Sequence, residues 1–398
     1  MSPVPAAAKK DGHGRVEALD LLRLLAAMAV VLYHYSFRGA AADGFTNLSL
    51  PAIIPLTKYG FLGVQLFFVI SGFVIAWSAE GRGGRDFIIA RAARIYPGFL
   101  LCMTLTFAVT LALGAPRFGT SITQWVANLV IVAPALKQPF MDGVYWSIVY
   151  ELVFYAWTAL LIFTGLFPRR LTVIVVLWLA VSVANETLLG SGALRRLLIT
   201  DGSGFFGAGL LLYALHSGRR DKFTWPLLFV ATGVGVFQAE IDSQWVRDHF
   251  GIALSDIVIA GICVGAVALV GLGLLWRRVP LPAKLIAALG GLTYPLYLIH
   301  QQVGFIIFNR LEGRAAPAVL VGATIAAMLL LSWAIWRFAE RRGQRALKSA
   351  LNRILVWPLR RPAVRATADP AATPARAMAG QAPVQIFGPI AIARAARS

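Results

Sequence analysis

Acids, histidines and cysteines are all scarce in this chain. Its 398 residues include 18 Asp and Glu, five His and two Cys. Cys102 and Cys263 fall in separate apolar runs and form no spaced pair, which excludes a disulfide framework and a cysteine zinc site. Both read as small apolar fillers, and no metal is expected. Charged residues of either sign make up 14% against 58% hydrophobic, so no sizeable soluble domain fits between the apolar segments. The 37 Lys and Arg leave a net charge of +19, but no nucleic-acid motif accompanies it. That excess reads as membrane topology and affinity for anionic lipid, with no nucleic-acid partner.

What is abundant is apolar sequence. Runs at 19–37, 60–78, 95–114, 143–166, 171–188, 200–216, 224–240, 252–275, 285–307 and 316–338 each approach the roughly 20 residues a bilayer crossing needs. The chain is therefore expected to be an all-α, polytopic integral membrane protein of about ten transmembrane helices. Alternate loops carry "GRGGRDFIIARAAR", "FPRR", "HSGRRDK" and "WRRVPLPAK". The intervening loops hold only scattered cations such as Arg38, Lys58, Arg117 and Lys137. This asymmetry places both termini in the cytoplasm. A cleaved secretory signal is the competing parse of the first run, disfavoured by Tyr33, His34, Tyr35 and Phe37 before the small residues. Residues 1–17 are then a cytoplasmic segment. Residues 339–361 suit a basic amphipathic helix on the inner leaflet, and 362–398 form a low-complexity Ala/Pro/Arg tail expected to be disordered.

Several polar residues sit where lipid is expected. The first run, "LDLLRLLAAMAVVLYHYSF", contains Arg23 and His34. A central Arg costs roughly 2.5–3.5 kcal/mol on insertion, so such residues are rarely idle. Eleven positions make nearly three helical turns, which puts both side chains on one face about 16 Å apart along the axis. The second run, "GFLGVQLFFVISGFVIAW", embeds Gln65 and the pair Ser71 and Gly72. That pair is either a packing notch or a place for a substrate chain to pass. Arg91 and Arg94 follow at i, i+3 in "RDFIIARAARIYP". They serve as positive-inside anchors or as a bidentate phosphate clamp for a nucleotide-bearing donor. Pro97 suits the first turn of the next helix.

The fourth run opens "DGVYWSIVYELVFY". Glu151 lies about 12 Å into that helix, where a carboxylate needs a partner or a proton. Trp146 belongs near the outer interface, with Ser147 beside it. In "LTYPLYLIHQQ", Tyr294, Tyr297 and His300 step by three along one face, and Pro295 loosens the backbone. With the termini inside, His34, Glu151 and His300 fall in the outer half of the bilayer, and Arg23, Arg91 and Arg94 toward the cytoplasm.

Taken together, the Arg23–His34 pair, "FFVISGF", "RAARIYP", "YWSIVYELVFY" and "YPLYLIH" resemble the membrane-bound acyltransferase-3 family of sugar O-acyltransferases, in the expected order over residues 18–338. The resemblance implies a multi-helix membrane enzyme of the bacterial inner (plasma) membrane that uses acyl-CoA, acetyl-CoA foremost, to acylate a glycan or lipid-linked saccharide. It implies roles for His34, Arg91, Arg94 and Glu151. "FAERRGQR" departs from the family's closing Glu-x-Pro turn, which puts a role for Glu340 in doubt. No extracytoplasmic esterase-like domain is expected.

On this reading Arg91, Arg94 and Arg23 hold the donor's phosphates, and its thin arm threads past Ser71 and Gly72. His34 is general base, and Glu151 orients or stabilises its ring. Trp146, Ser147, Tyr294, Tyr297 and His300 position substrate or meet the oxyanion. The rival is a proton-coupled transporter, since intramembrane His and Glu also build relays, although the two halves of the chain show no convincing repeat.

Overall fold

The computed structural model describes residues 16–219, 221–276 and 279–356. The expected cytoplasmic segment, apart from its last two residues, and the whole low-complexity tail lie outside these. The described residues are helical, with no strand among them. The principal helices are α1 (Glu17–Tyr33), α2 (Gly63–Ala79), α3 (Gly84–Leu113), α4 (Trp146–Phe163) and α5 (Leu171–Ala184). They continue as α6 (Ser203–His216), α7 (Thr224–Phe250), α8 (Asp256–Leu275), α9 (Ala283–Leu311), α10 (Pro317–Ala334) and α11 (Arg341–Val356). Among the described residues nine helical stretches are long and apolar enough to cross a bilayer. The remaining long helix, α9, has 29 residues, but its Tyr, His and Gln residues dilute its apolar character.

Two departures from the expected boundaries bear on the site. Helix α3 begins at Gly84, so the segment carrying Arg91 and Arg94 is the first part of the helix itself. Phe87, Ile89, Ala93 and Ile95 are buried along it. That apolar face outweighs the charges, and Pro97 lies inside the helix rather than in its first turn. At the other end of the chain α10 runs without a break through a π-helical stretch, Ile335–Glu340, into α11. A second π-helical stretch, His34–Ala42, extends α1. Such wider turns occur mostly at functional sites.

Helix α9 is the centre of the arrangement around the site, packing on α1, α3 and α10, while α2 packs on α6 and α11 on α3. Side chains pin α9 near its middle. The Tyr35 hydroxyl donates to the His300 carbonyl at 2.7 Å. Asp142, before α4, accepts from the Gln302 backbone N–H at 2.9 Å and from its own Val144 N–H at 3.1 Å. The start of α4 is thereby held against α9.

The pair Ser71 and Gly72 divides between two surfaces. A Cβ on Gly72 would stand 2.3 Å from the Phe206 carbonyl oxygen of α6, and one on Gly209 would stand 2.2 Å from that of Val69. Gly72 is therefore a packing notch between α2 and α6, while Ser71 faces a cavity. Gly72→Val is expected to destabilise the protein by about 1–3 kcal/mol through overpacking. Thermal unfolding in detergent will show this as a lowered Tm, whereas Ser71→Ala leaves Tm near that of the parent.

Candidate active site

Helices α1, α2, α3, α4, α9 and α11 surround a cavity of about 480 Å³. Arg23, Arg91, Arg94, Arg345 and Lys348 contribute five cations to its lining, against the single carboxylate of Glu151. Its walls elsewhere are apolar or hydroxylic, including Val64, Phe67, Phe68, Ser71, Tyr155 and Tyr294. At one end the lining reaches Ser147 and Tyr297.

The cationic part is an ordered array. Arg94 pairs with the buried Glu340, whose Oε1 also accepts from Gln344 Nε2 at 2.7 Å. The Arg94 guanidinium lies 5.4 Å from the centre of the Tyr294 ring, and the Tyr294 hydroxyl donates to the Ile95 carbonyl at 3.2 Å. Arg91 sits over the Phe87 and Tyr155 rings at 5.7 and 5.5 Å. Its Nε is buried without a hydrogen-bond partner among the described residues, a donor left open toward an anion. Arg23 reaches Asp20 at 3.3 Å one turn back in α1.

Glu151 belongs to this array and not to the His34 ring. Ser147, Glu151 and Tyr155 recur every four residues and all line the cavity. The Tyr155 hydroxyl donates to Glu151 Oε1 at 2.6 Å. Counting depth along α4 does not determine which neighbour its acid faces, and here that neighbour is the arginine side. Trp146 is 41% exposed, turned from the cavity with its ring edge-on to Tyr150 at 5.3 Å.

The partner of His34 is His300. Both rings are buried, and His300 Nε2 lies 3.1 Å from His34 Nδ1. Hydrogen-bond chemistry assigns the tautomers. His300 Nδ1 faces two carbonyls, Tyr297 at 2.8 Å and Leu296 at 3.2 Å, so it carries the proton and donates. In the neutral ring its Nε2 must then accept. His34 Nδ1 meets that acceptor and the Val30 carbonyl at 2.8 Å, so it too must be the protonated nitrogen. The lone pair of His34 is thereby left on Nε2, which has no partner among the described residues. Both nitrogens of His300 are engaged, leaving it no donor for an oxyanion.

Between the imidazoles and the cavity stands Tyr297. Its ring centre is 5.8 Å from that of His300, and its hydroxyl is 2.7 Å from Ser147 Oγ. Phe67 packs edge-on against it at 5.5 Å. The stripe Tyr294, Tyr297, His300 thus runs from Arg94 to His34 along one face of α9. The expected residues that come together are Arg23, Arg91, Arg94, Glu151, Ser71, Ser147, Tyr294 and Tyr297 at the cavity, with His34 and His300 just beyond it. Gly72 and Trp146 lie apart. Sequence reasoning left a role for Glu340 in doubt and did not single out Arg345 and Lys348. One signal for Glu340 was available: an acid closing an apolar run, in a chain so poor in acids, needs a cation.

A cationic cavity ending at hydroxyls and buried imidazoles, inside a helical membrane frame, fits an enzyme that transfers a group from an anionic donor. The chain belongs to the acyltransferase-3 family, whose model, described as an acyltransferase domain, matches residues 16–337. Acyltransferase MdmB of Streptomyces mycarofaciens is 30% identical over 148 residues, 35% of this chain and 38% of that protein. The exopolysaccharide production protein ExoZ of Rhizobium meliloti is 26% identical over 68% of this chain and 86% of its own. The O-acetyl transferase of Shigella phage Sf6 is 24% identical over 81% and 94%. No solved structure matches. Family membership makes the protein a membrane acyltransferase and sets the transporter alternative aside.

Because Arg94 and Glu340 are paired at the cavity wall, Glu340→Ala leaves Arg94 without its carboxylate and removes a tie between α3 and α11. Arg94 is 41% exposed and can hydrate once its partner is gone, so the expected loss is about 1.5–3 kcal/mol, the range for a hydrogen bond to a charged group. Thermal unfolding is expected to show a large drop for Glu340→Ala and a smaller one for Glu340→Gln, which keeps a hydrogen-bond acceptor.

Proposed function

We propose that the protein transfers an acyl group, acetyl foremost, from acyl-CoA entering on the cytoplasmic side to a hydroxyl of a glycan or lipid-linked saccharide. The setting we propose is a bacterial plasma membrane with both termini inside, residues 18–338 forming the catalytic unit. The observation that carries this reading is the hydrogen bond between His34 and His300, which leaves the His34 lone pair on Nε2, with His300 packed on the Tyr297 end of a cationic cavity. The names of two relatives, an exopolysaccharide production protein and an O-acetyl transferase, support a saccharide acceptor.

In this mechanism Arg91 and Arg94 hold the donor's diphosphate, with Arg23 behind them. Glu151 holds Tyr155, and through that ring Arg91, so it serves the donor. His34 Nε2 takes the proton of the acceptor hydroxyl as its oxygen attacks the thioester carbonyl. The tetrahedral oxyanion forms near Tyr297 and Ser147, the hydroxyls at that end of the cavity lining. Its collapse makes the ester and breaks the C–S bond, and the departing thiolate takes the proton back from His34. His300 contributes by fixing which nitrogen is the base.

Purified protein given acetyl-CoA and a panel of glycans tests the reaction. His34→Ala is expected to lower turnover by about 10²–10⁴ while keeping donor affinity. His300→Ala should fall by less, and the double variant no further than His34→Ala, because residues acting as one unit lose activity together. Near-normal turnover in His34→Ala removes the general-base assignment. Orientation has its own test. Cys102 and Cys263 are buried, so an impermeant thiol reagent reports single introduced cysteines. A cysteine at the exposed Ala41 should be labelled from outside and one at the exposed Gly83 protected; the reverse pattern inverts the proposed topology.

A further inference from the structure

Helix α11 packs along the cationic end of the cavity. Three contacts seat it on α3. Glu340 pairs with Arg94 where the π-helical stretch ends, and Gln344 Nε2 reaches the Arg94 carbonyl of α3 at 3.5 Å. Gly343 meets Pro97 so closely that an added Cβ would stand 2.8 Å from the proline Cβ. Seated this way, α11 turns Arg345 and Lys348, three residues apart, to the cavity. They are one helical turn apart, about 4.5 Å along the axis.

The charge balance there is uneven. Arg94 is matched by Glu340 and Arg23 by Asp20. Arg345 and Lys348 are exposed at the cavity edge and have no carboxylate partner among the described residues. The Arg345 Nε reaches only the Arg341 carbonyl, at 3.3 Å. Two free cations on a separate helix therefore flank the clamp formed by Arg91 and Arg94. A diphosphate spreads one negative charge over each phosphate, and the α3 arginines suffice for it. A phosphomonoester carries close to two charges at neutral pH and three acceptor oxygens, the group an adjacent Arg and Lys suit.

We propose that Arg345 and Lys348 bind the 3′-phosphate of the CoA donor, so that α11 distinguishes CoA from its 3′-dephospho form. This rests on the acyl-CoA reading above. An anionic lipid headgroup offers related phosphate chemistry, and the experiment separates the two sources.

Binding of CoA and of 3′-dephospho-CoA to the full-length protein in neutral detergent, measured by titration calorimetry, is the test. The parent protein is expected to bind CoA at least about tenfold more tightly, about 1.4 kcal/mol. Arg345→Ala/Lys348→Ala should abolish that preference by weakening CoA alone, shifting the dephospho form less than about twofold. Arg345→Lys/Lys348→Arg should keep it, and Arg91→Ala/Arg94→Ala should weaken both ligands together. An undiminished preference in the α11 double Ala variant overturns the proposal. So does a preference that disappears when anionic lipid vesicles are added to the parent but is unaffected by the variant, which points to a headgroup elsewhere. If the parent binds neither nucleotide, the donor reading itself fails and this assignment falls with it.

Discussion

Burying a carboxylate among apolar helices demands a cation, and the pairing of Glu340 with Arg94 meets that demand. Much of the donor end follows from it. The pair fixes the end of the π-helical stretch after α10 and sets the register of α11 on α3. It also leaves the Arg94 guanidinium against the Tyr294 ring at the cavity wall. Without that constraint α11 would be an amphipathic helix with no reason to face inward.

The far end of the site depends on neutral hydrogen bonds. His34 and His300 lie 266 residues apart in sequence, yet the acceptor nitrogen of His300 helps fix the proton position of His34. Carbonyls at Val30, Leu296 and Tyr297 supply the remaining acceptors. The site therefore separates two kinds of interaction along α9, ion pairs at one end and uncharged donors and acceptors at the other, which the proposed mechanism assigns to phosphate binding and proton transfer.

Much of this was legible in the sequence. Apolar runs of bilayer length gave the helices, and the three-residue step of Tyr294, Tyr297 and His300 marked one face of α9. What escaped has physical reasons. Periodicity assumes a uniform turn, and the π-helical stretch Ile335–Glu340 widens it, so the inward direction of Glu340 could not be counted from the preceding residues. Depth along α4 was readable for Glu151, but its rotation toward Tyr155 and the arginines depends on packing. The pairing of two imidazoles is a tertiary contact with no local trace. Arg345 and Lys348 were not singled out within the basic segment 339–361, because nothing in their own helix reveals Pro97 and Gly343 meeting.

Phe67 packs edge-on against Tyr297, and the Tyr297 hydroxyl meets Ser147, so two rings and a hydroxyl narrow the end of the cavity. In the proposed mechanism the donor's phosphates stay among the arginines and only its acyl end reaches these side chains. The girth of the acyl chain would then be gauged by two rings, and a smaller side chain at either position would widen what that end accepts.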